Sequence, residues 1–191
     1  MLVRAGRHAQ AEQYLEKAAV VYSLIYGEYD ERTHEVHAAL GRVQVENKSY
    51  KEAIKNISYL LIQHEFKYGK NTPHLVILED HNLLGQGHFA LGEESAAIKH
   101  FTKALEIADK IFIGVHPEAR KGDVTDADSI IGDLNEERKQ YALIYYRLGQ
   151  VYEGMKSGTS IEKFYECLKH AFQAISLIQS PLFHATTPLT A

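Results

Sequence analysis

The run His81 to Phe112, HNLLGQGHFALGEESAAIKHFTKALEIADKIF, decides the fold, because it can be laid over two other parts of the chain and matches both. Leu84-Gly85 sits in an apolar-periodic stretch, Gly92 marks a break, and Ala97, Ile98, Phe101, Ala104, Leu105, Ala108, Ile111 and Phe112 then recur at helical spacing along one face. This pattern predicts a helical hairpin. Moving back 44 residues, from Ala97 to Ala53, brings Leu40-Gly41, Tyr50, Ala53, Ile54, Ile57 and Leu61 into the same slots. A further 42, from Ala53 to Ala11, brings Gly6, Ala11, Leu15, Ala18, Tyr22 and Ile25 into register. Such a unit cannot bury its apolar face alone, so its copies must stack on one another.

The run Tyr145-x-x-Leu148-Gly149-x-x-Tyr152, together with Ala97 and Phe101 in the second half of a unit, resembles the signature of the tetratricopeptide repeat. His37 and His81 stand in its aromatic slot, and Gln44 and His88 in its tyrosine slot. The small residues have a packing role: Gly41, Gly85, Gly149, Ala53 and Ala97 allow neighbouring helices to approach. The units are longer than the ordinary repeat and close on Tyr26-Gly27, Tyr68-Gly69 and Ile113-Gly114. That extended form is similar to the repeats of kinesin light chains and related cytoskeletal or ciliary proteins. The resemblance implies an all-α, right-handed α-α superhelix of three to four hairpins. Residues 1–117 are read as repeats one to three, the first lacking most of its first helix, and 118–134 as an acidic insertion. A fourth repeat is assigned to 135–179 and a C-terminal tail to 180–191.

A chain of 191 residues with a formal charge of −4 has room for one domain or a four-unit array. It carries no basic stripe that would attract nucleic acid or an anionic membrane. Its longest apolar runs, such as Tyr59-Leu60-Leu61-Ile62, are too short to span a bilayer. The N-terminus lacks the pattern of a signal peptide, and the single cysteine, Cys167, fits a reducing compartment and a packed helical position. A cytoplasmic setting, with cytoskeletal or ciliary association by resemblance, is therefore expected.

Local signals fix several boundaries. Asp30, Thr33 and Glu35 offer capping oxygens to a helix over about 33–47, which pairs with one over 50–67. Pro73 suits the start of a helix over about 73–91, followed by one over 94–113. In the fourth unit, Ser160 is the expected cap of the last helix.

No chemistry-bearing constellation emerges. Gly85 and Gly87 lack the strand-to-helix context of a phosphate loop. Asp126, Asp128 and Glu137 have calcium-loop spacing, but Ile130 and Ile131 occupy places that need an oxygen ligand and a glycine. His34 and His37 lack a third ligand, and no nucleophile motif or paired carboxylate stands out, so neither enzyme activity, metal nor cofactor is expected. The family resemblance implies protein partners, peptide or helix, on a wall formed by the first helix of each unit. Its candidates are Glu35, Ala38, Ala39, Arg42 and Glu46, then Glu79, Asn82, Leu83, Gln86 and Phe89, then Tyr146, Arg147, Gln150 and Glu153. A structural component of a multiprotein complex would instead use its ends, its convex face and the insertion. The apolar stripe of residues 8–26 would face water in part unless something covers it.

Overall fold

The computed structural model describes residues 7–70, 72–113, 127–155 and 158–179, and among these residues it holds seven helices and no strand. The helices are α1 (His8–Tyr26), α2 (Glu31–Glu46), α3 (Tyr50–Tyr68), α4 (Leu75–Ala90), α5 (Glu94–Ile113), α6 (Ala127–Gly154) and α7 (Gly158–Gln179). They fall into two compact units, Met1–Arg120 and Lys121–Ala191. In the first unit, α1 packs on α2, α2 on α3, α3 on α4 and α4 on α5, and α2 also touches α4. The second unit is the α6–α7 hairpin.

The turns repeat as faithfully as the helices. Lys48 and Gly92 stand 44 residues apart, and both take left-handed backbone angles, φ 65° and 76°. At each turn the residue after this position donates its N–H across the helix end, Ser49 to the Gln44 carbonyl and Glu93 to the His88 carbonyl, both at 2.9 Å. That six-to-one bond satisfies carbonyls the helix cannot satisfy itself. The longer linkers open at Gly27 and Gly69, with φ 90° and 94°, a region that side chains other than glycine rarely enter.

Among the expected caps of α2, only Asp30 serves: its carboxylate accepts from the Arg32 amide at 3.0 Å. Arg32 returns its guanidinium to both carboxylate oxygens at 2.8 and 3.0 Å and lies 3.6 Å over the Tyr26 ring, holding the Asp30 carboxyl down at about 2. Thr33 is buried and donates its hydroxyl to the Gly27 carbonyl at 2.8 Å, so it ties the linker and does not cap the helix. α4 starts at Leu75, two residues after Pro73, because His74 is extended and its ring accepts from the Val76 amide at 3.3 Å.

Packing explains the glycines. A Cβ on Gly41 would lie 2.7 Å from Ile57, and one on Gly85 would lie 2.7 to 2.9 Å from three Phe101 ring atoms. Gly87 faces the other way, where a Cβ would lie 2.8 Å from Ile54 of α3. Gly85 and Gly87 therefore let α4 lie close to both α5 and α3. Ala53, Ile57 and Leu84 form a buried cluster at this centre, and each fully buried large side chain is worth about 1.5–3 kcal/mol. Glu12 of α1 accepts from Asn47 and from Ser49, the latter at 3.1 Å, which anchors α1 to the α2–α3 turn.

In the second unit, Ala142, Ile144, Leu148, Val151 and Cys167 are buried. α6 begins at Ala127, inside the stretch read as an insertion, so residues 127–137 are helix. The acidic composition hid helix-forming Ala127 and Leu134 and the Ile130/Leu134 spacing. Helix also replaces the loop that a calcium site over 126–137 would need, at all of those residues that the structure describes. α7 begins at Gly158, so Ser160 lies in its first turn and is buried, not at the cap. The tail 180–191 and residues 114–126 lie outside the described residues.

Candidate protein-interaction surfaces

The wall residues of the first unit are drawn into contacts of their own. Arg42 donates to Glu79 at 2.6 Å, bridging α2 and α4 with both side chains nearly half exposed. Glu46 meets His8 at 3.1 Å. Asn82 is 6% exposed and belongs to the interior, and Gln86 donates to the Asn82 carbonyl at 3.3 Å. Phe89 is half-buried and Glu35 is exposed. In the second unit, Tyr146 is exposed, Gln150 donates to the Tyr146 hydroxyl at 3.3 Å, and burial lowers the Arg147 pKa. Arg42 and Glu79 thus pair across α2 and α4, Asn82 and Gln86 pair along α4, and Tyr146 and Gln150 pair along α6.

The histidines are more organised than their scattered sequence suggests. His37 Nδ1 donates to Asn56 Oδ1 at 2.7 Å, and Asn56 Nδ2 donates back to the His37 carbonyl at 2.8 Å. Forty-four residues on, His81 Nδ1 meets His100 Nδ1 at 3.0 Å, and the His100 ring stacks on His88. One of two facing Nδ1 atoms must be bare, so at least one ring is neutral, and burial foremost lowers each pKa to about 4, which leaves both neutral at pH 7. His64 Nδ1 donates to Asp80 at 2.6 Å between α3 and α4, with each side chain 5% exposed, and the edge of His34 meets the His64 ring. Burial raises the Asp80 pKa although His64 opposes it. Such seclusion makes the His64–Asp80 pair a packing element, closed to a substrate. Among the described residues, no group of three or more His, Cys, Asp or Glu is placed to hold a metal ion. Cys167 is buried as well, and burial pushes its thiol up to about 11.

Apolar exposure on residues 8–26 is expected from the sequence and is seen at Ile25, whereas the sequence reading does not single out the exposed apolar side chains of α3. On α1, Tyr14, Val20, Leu24 and Ile25 are 61–80% exposed, and on α3 Ile62 and Phe66 reach 63% and 86%. The α5 residues in the slots of Ile62 and Phe66, 44 positions later, are Glu106 and Lys110. The apolar surface of the first unit is therefore concentrated on its first two second-of-hairpin helices. No helix among the described residues is long and apolar enough to cross a membrane.

Paired helices, glycine contacts and recurring turns define a helical-hairpin repeat fold similar to that of tetratricopeptide repeats. Residues 81–111 match the family model described as tetratricopeptide repeat. The chain has no match among curated protein sequences. Its fold is similar to that of BtubC (BKLC) from P. vanneervenii, at 15% identity and a TM-score of 0.71, over 100% of this chain and 64% of that one. It is also similar to two structures of a putative kinesin light chain with nearly identical TPR-like repeats from Podosopora anserina. Their TM-scores are 0.56 and 0.52 at 14% and 13% identity, over 93% of this chain and 92% and 83% of theirs. These likenesses establish the fold.

Proposed function

We propose that the chain is a non-catalytic scaffold that docks partner proteins within a larger assembly, using the exposed surface of α1 and α3. The observation that carries this reading is the concentration of large apolar side chains there, Leu24 at 80% and Phe66 at 86% exposure, opposed to the polar α5. Exposed apolar clusters rimmed by polar residues mark protein contacts. The polar wall residues support the alternative, a peptide or cargo adaptor, less well, since Arg42, Glu46 and Gln86 already have intramolecular partners. We place the scaffold in the cytoplasm beside the cytoskeleton, on the strength of its single thiol and the kinesin light chain description carried by two structural neighbours.

A photo-crosslinking residue at Leu24 and one at Gln86, tested separately in native extract, separate the two readings. Docking through α1 gives a defined adduct from position 24 that survives Arg42→Ala. An adduct confined to position 86 and lost with Arg42→Ala makes the chain an adaptor instead.

A further inference from the structure

Between α1, α2 and α3 lies an open cleft of about 470 Å³, lined by Ser23, Glu28, His37, Gln44, Glu52, Lys55, Asn56 and Tyr59. None of these residues belongs to the wall suggested by the family resemblance. The floor is fixed in advance: His37 and Asn56 are joined by two hydrogen bonds, the His37 and Tyr59 rings lie 5.7 Å apart, and the Tyr59 hydroxyl donates to the Glu28 carbonyl at 3.5 Å. Side chains already held in place lose little freedom when a ligand arrives.

The charges in the cleft are two carboxylates, Glu28 and Glu52, against one ammonium, Lys55. An incoming acid would face the excess negative charge, whereas a base would relieve it. Lys55, Tyr59, Ile62 and Phe66 follow one another at steps of four, three and four, so the cleft wall continues along α3 into the exposed apolar pair. Ile62 and Phe66 lie roughly 5–10 Å along the axis from Tyr59 at the helical rise.

We propose that this cleft receives an arginine side chain from an amphipathic helical segment of a partner protein, whose large apolar residues, one to two turns away, cover Ile62 and Phe66. Arginine suits the site better than lysine. Its planar guanidinium can lie on the Tyr59 and His37 rings while its fork reaches a carboxylate, and a compact ammonium can do only the second. The inference rests on the docking reading above and names the partner chemistry for one part of that surface.

The test is to pan the full chain against a displayed library of random 16-residue peptides and measure the enriched sequences by fluorescence anisotropy. Enriched peptides should carry Arg four to seven residues from Leu, Phe or Trp. Glu52→Lys and Phe66→Ser should each weaken them at least tenfold, and raised salt should weaken them further. Both positions are exposed, so unchanged circular dichroism and melting confirm intact variants. Enriched peptides without a basic residue, binding indifferent to both substitutions, or no enrichment at all would overturn the cleft assignment. Binding that responds instead to Leu24→Ser moves the contact to α1 and leaves the scaffold reading in place.

Discussion

The hairpins α4–α5 and α6–α7 carry the same pattern with opposite strengths. α6 holds the clearer short signature, Tyr145-x-x-Leu148-Gly149-x-x-Tyr152, whereas α4 has histidines at two of those slots. Yet it is residues 81–111 that match the family model, and the glycine contact in α4–α5 is the closer. A Cβ on Gly149 would lie 3.5 Å from Cys167 and Phe164, an ordinary contact, against 2.7 Å at Gly85. The interiors differ too: α4–α5 buries imidazoles, and α6–α7 buries a thiol. The difference teaches that the whole hairpin, with Ala97 and Phe101 on its second helix, defines the repeat more than the short motif on its first.

Acid should break this comparison most strongly. The His81 and His100 pKa values sit at about 4, below the usual 6.5, so their neutral rings contribute stability that is complete above pH 6.5 and is lost as pH falls toward 4. Lowering pH from 7 to 4.5 should cost the first unit roughly 3 kcal/mol, discounted for the partial exposure of His100. In urea unfolding at the two pH values, His81→Phe with His100→Leu should flatten that dependence; an unchanged slope would refute the assignment.

The glycines provide a second contrast, of opposite sign. Gly85→Ala forces a methyl onto the fully buried Phe101 and should destabilise by about 2 kcal/mol despite the better helix propensity of alanine. Gly149→Ala meets open contact distance and should stabilise by about 0.5–1 kcal/mol. Parallel thermal melts followed by circular dichroism would show the midpoints moving in opposite directions.

Smallest is the turn effect. Lys48 adopts the left-handed angle that Gly92 adopts in the next unit, so Lys48→Gly should stabilise by about 1 kcal/mol and Gly92→Lys should cost a similar amount. Differential scanning calorimetry of the two variants would register both shifts, and a loss of stability in Lys48→Gly would contradict the turn assignment.

Much of the fold was legible because apolar spacing alone specified the helices and their pairing. The Gly41 and Gly85 contacts followed from residue size. The position of Asn82 was not legible, and the reason is physical. α4 packs against α2, α3 and α5, so no polar face remains to show which way a side chain points. The family pattern placed Asn82 on an open wall, and the structure buries it. The histidine pairs were hidden for another cause: the partner of His37 or His81 lies 19 residues later, and only the closed hairpin brings the two together. The start of α6 was missed because acidic residues mask a helix that composition alone assigns to a loop. The α1–α3 cleft could not be read at all, since three helices contribute to it.

Cys167 gives the second unit a built-in clock. It is the chain's sole sulfhydryl and sits against the Gly149 side of α6, so an alkylating reagent reaches it when α7 lifts away. The modification rate at mild alkali therefore counts separations of that hairpin without a label or an added mutation, and a partner that clamps α6 to α7 would slow the count.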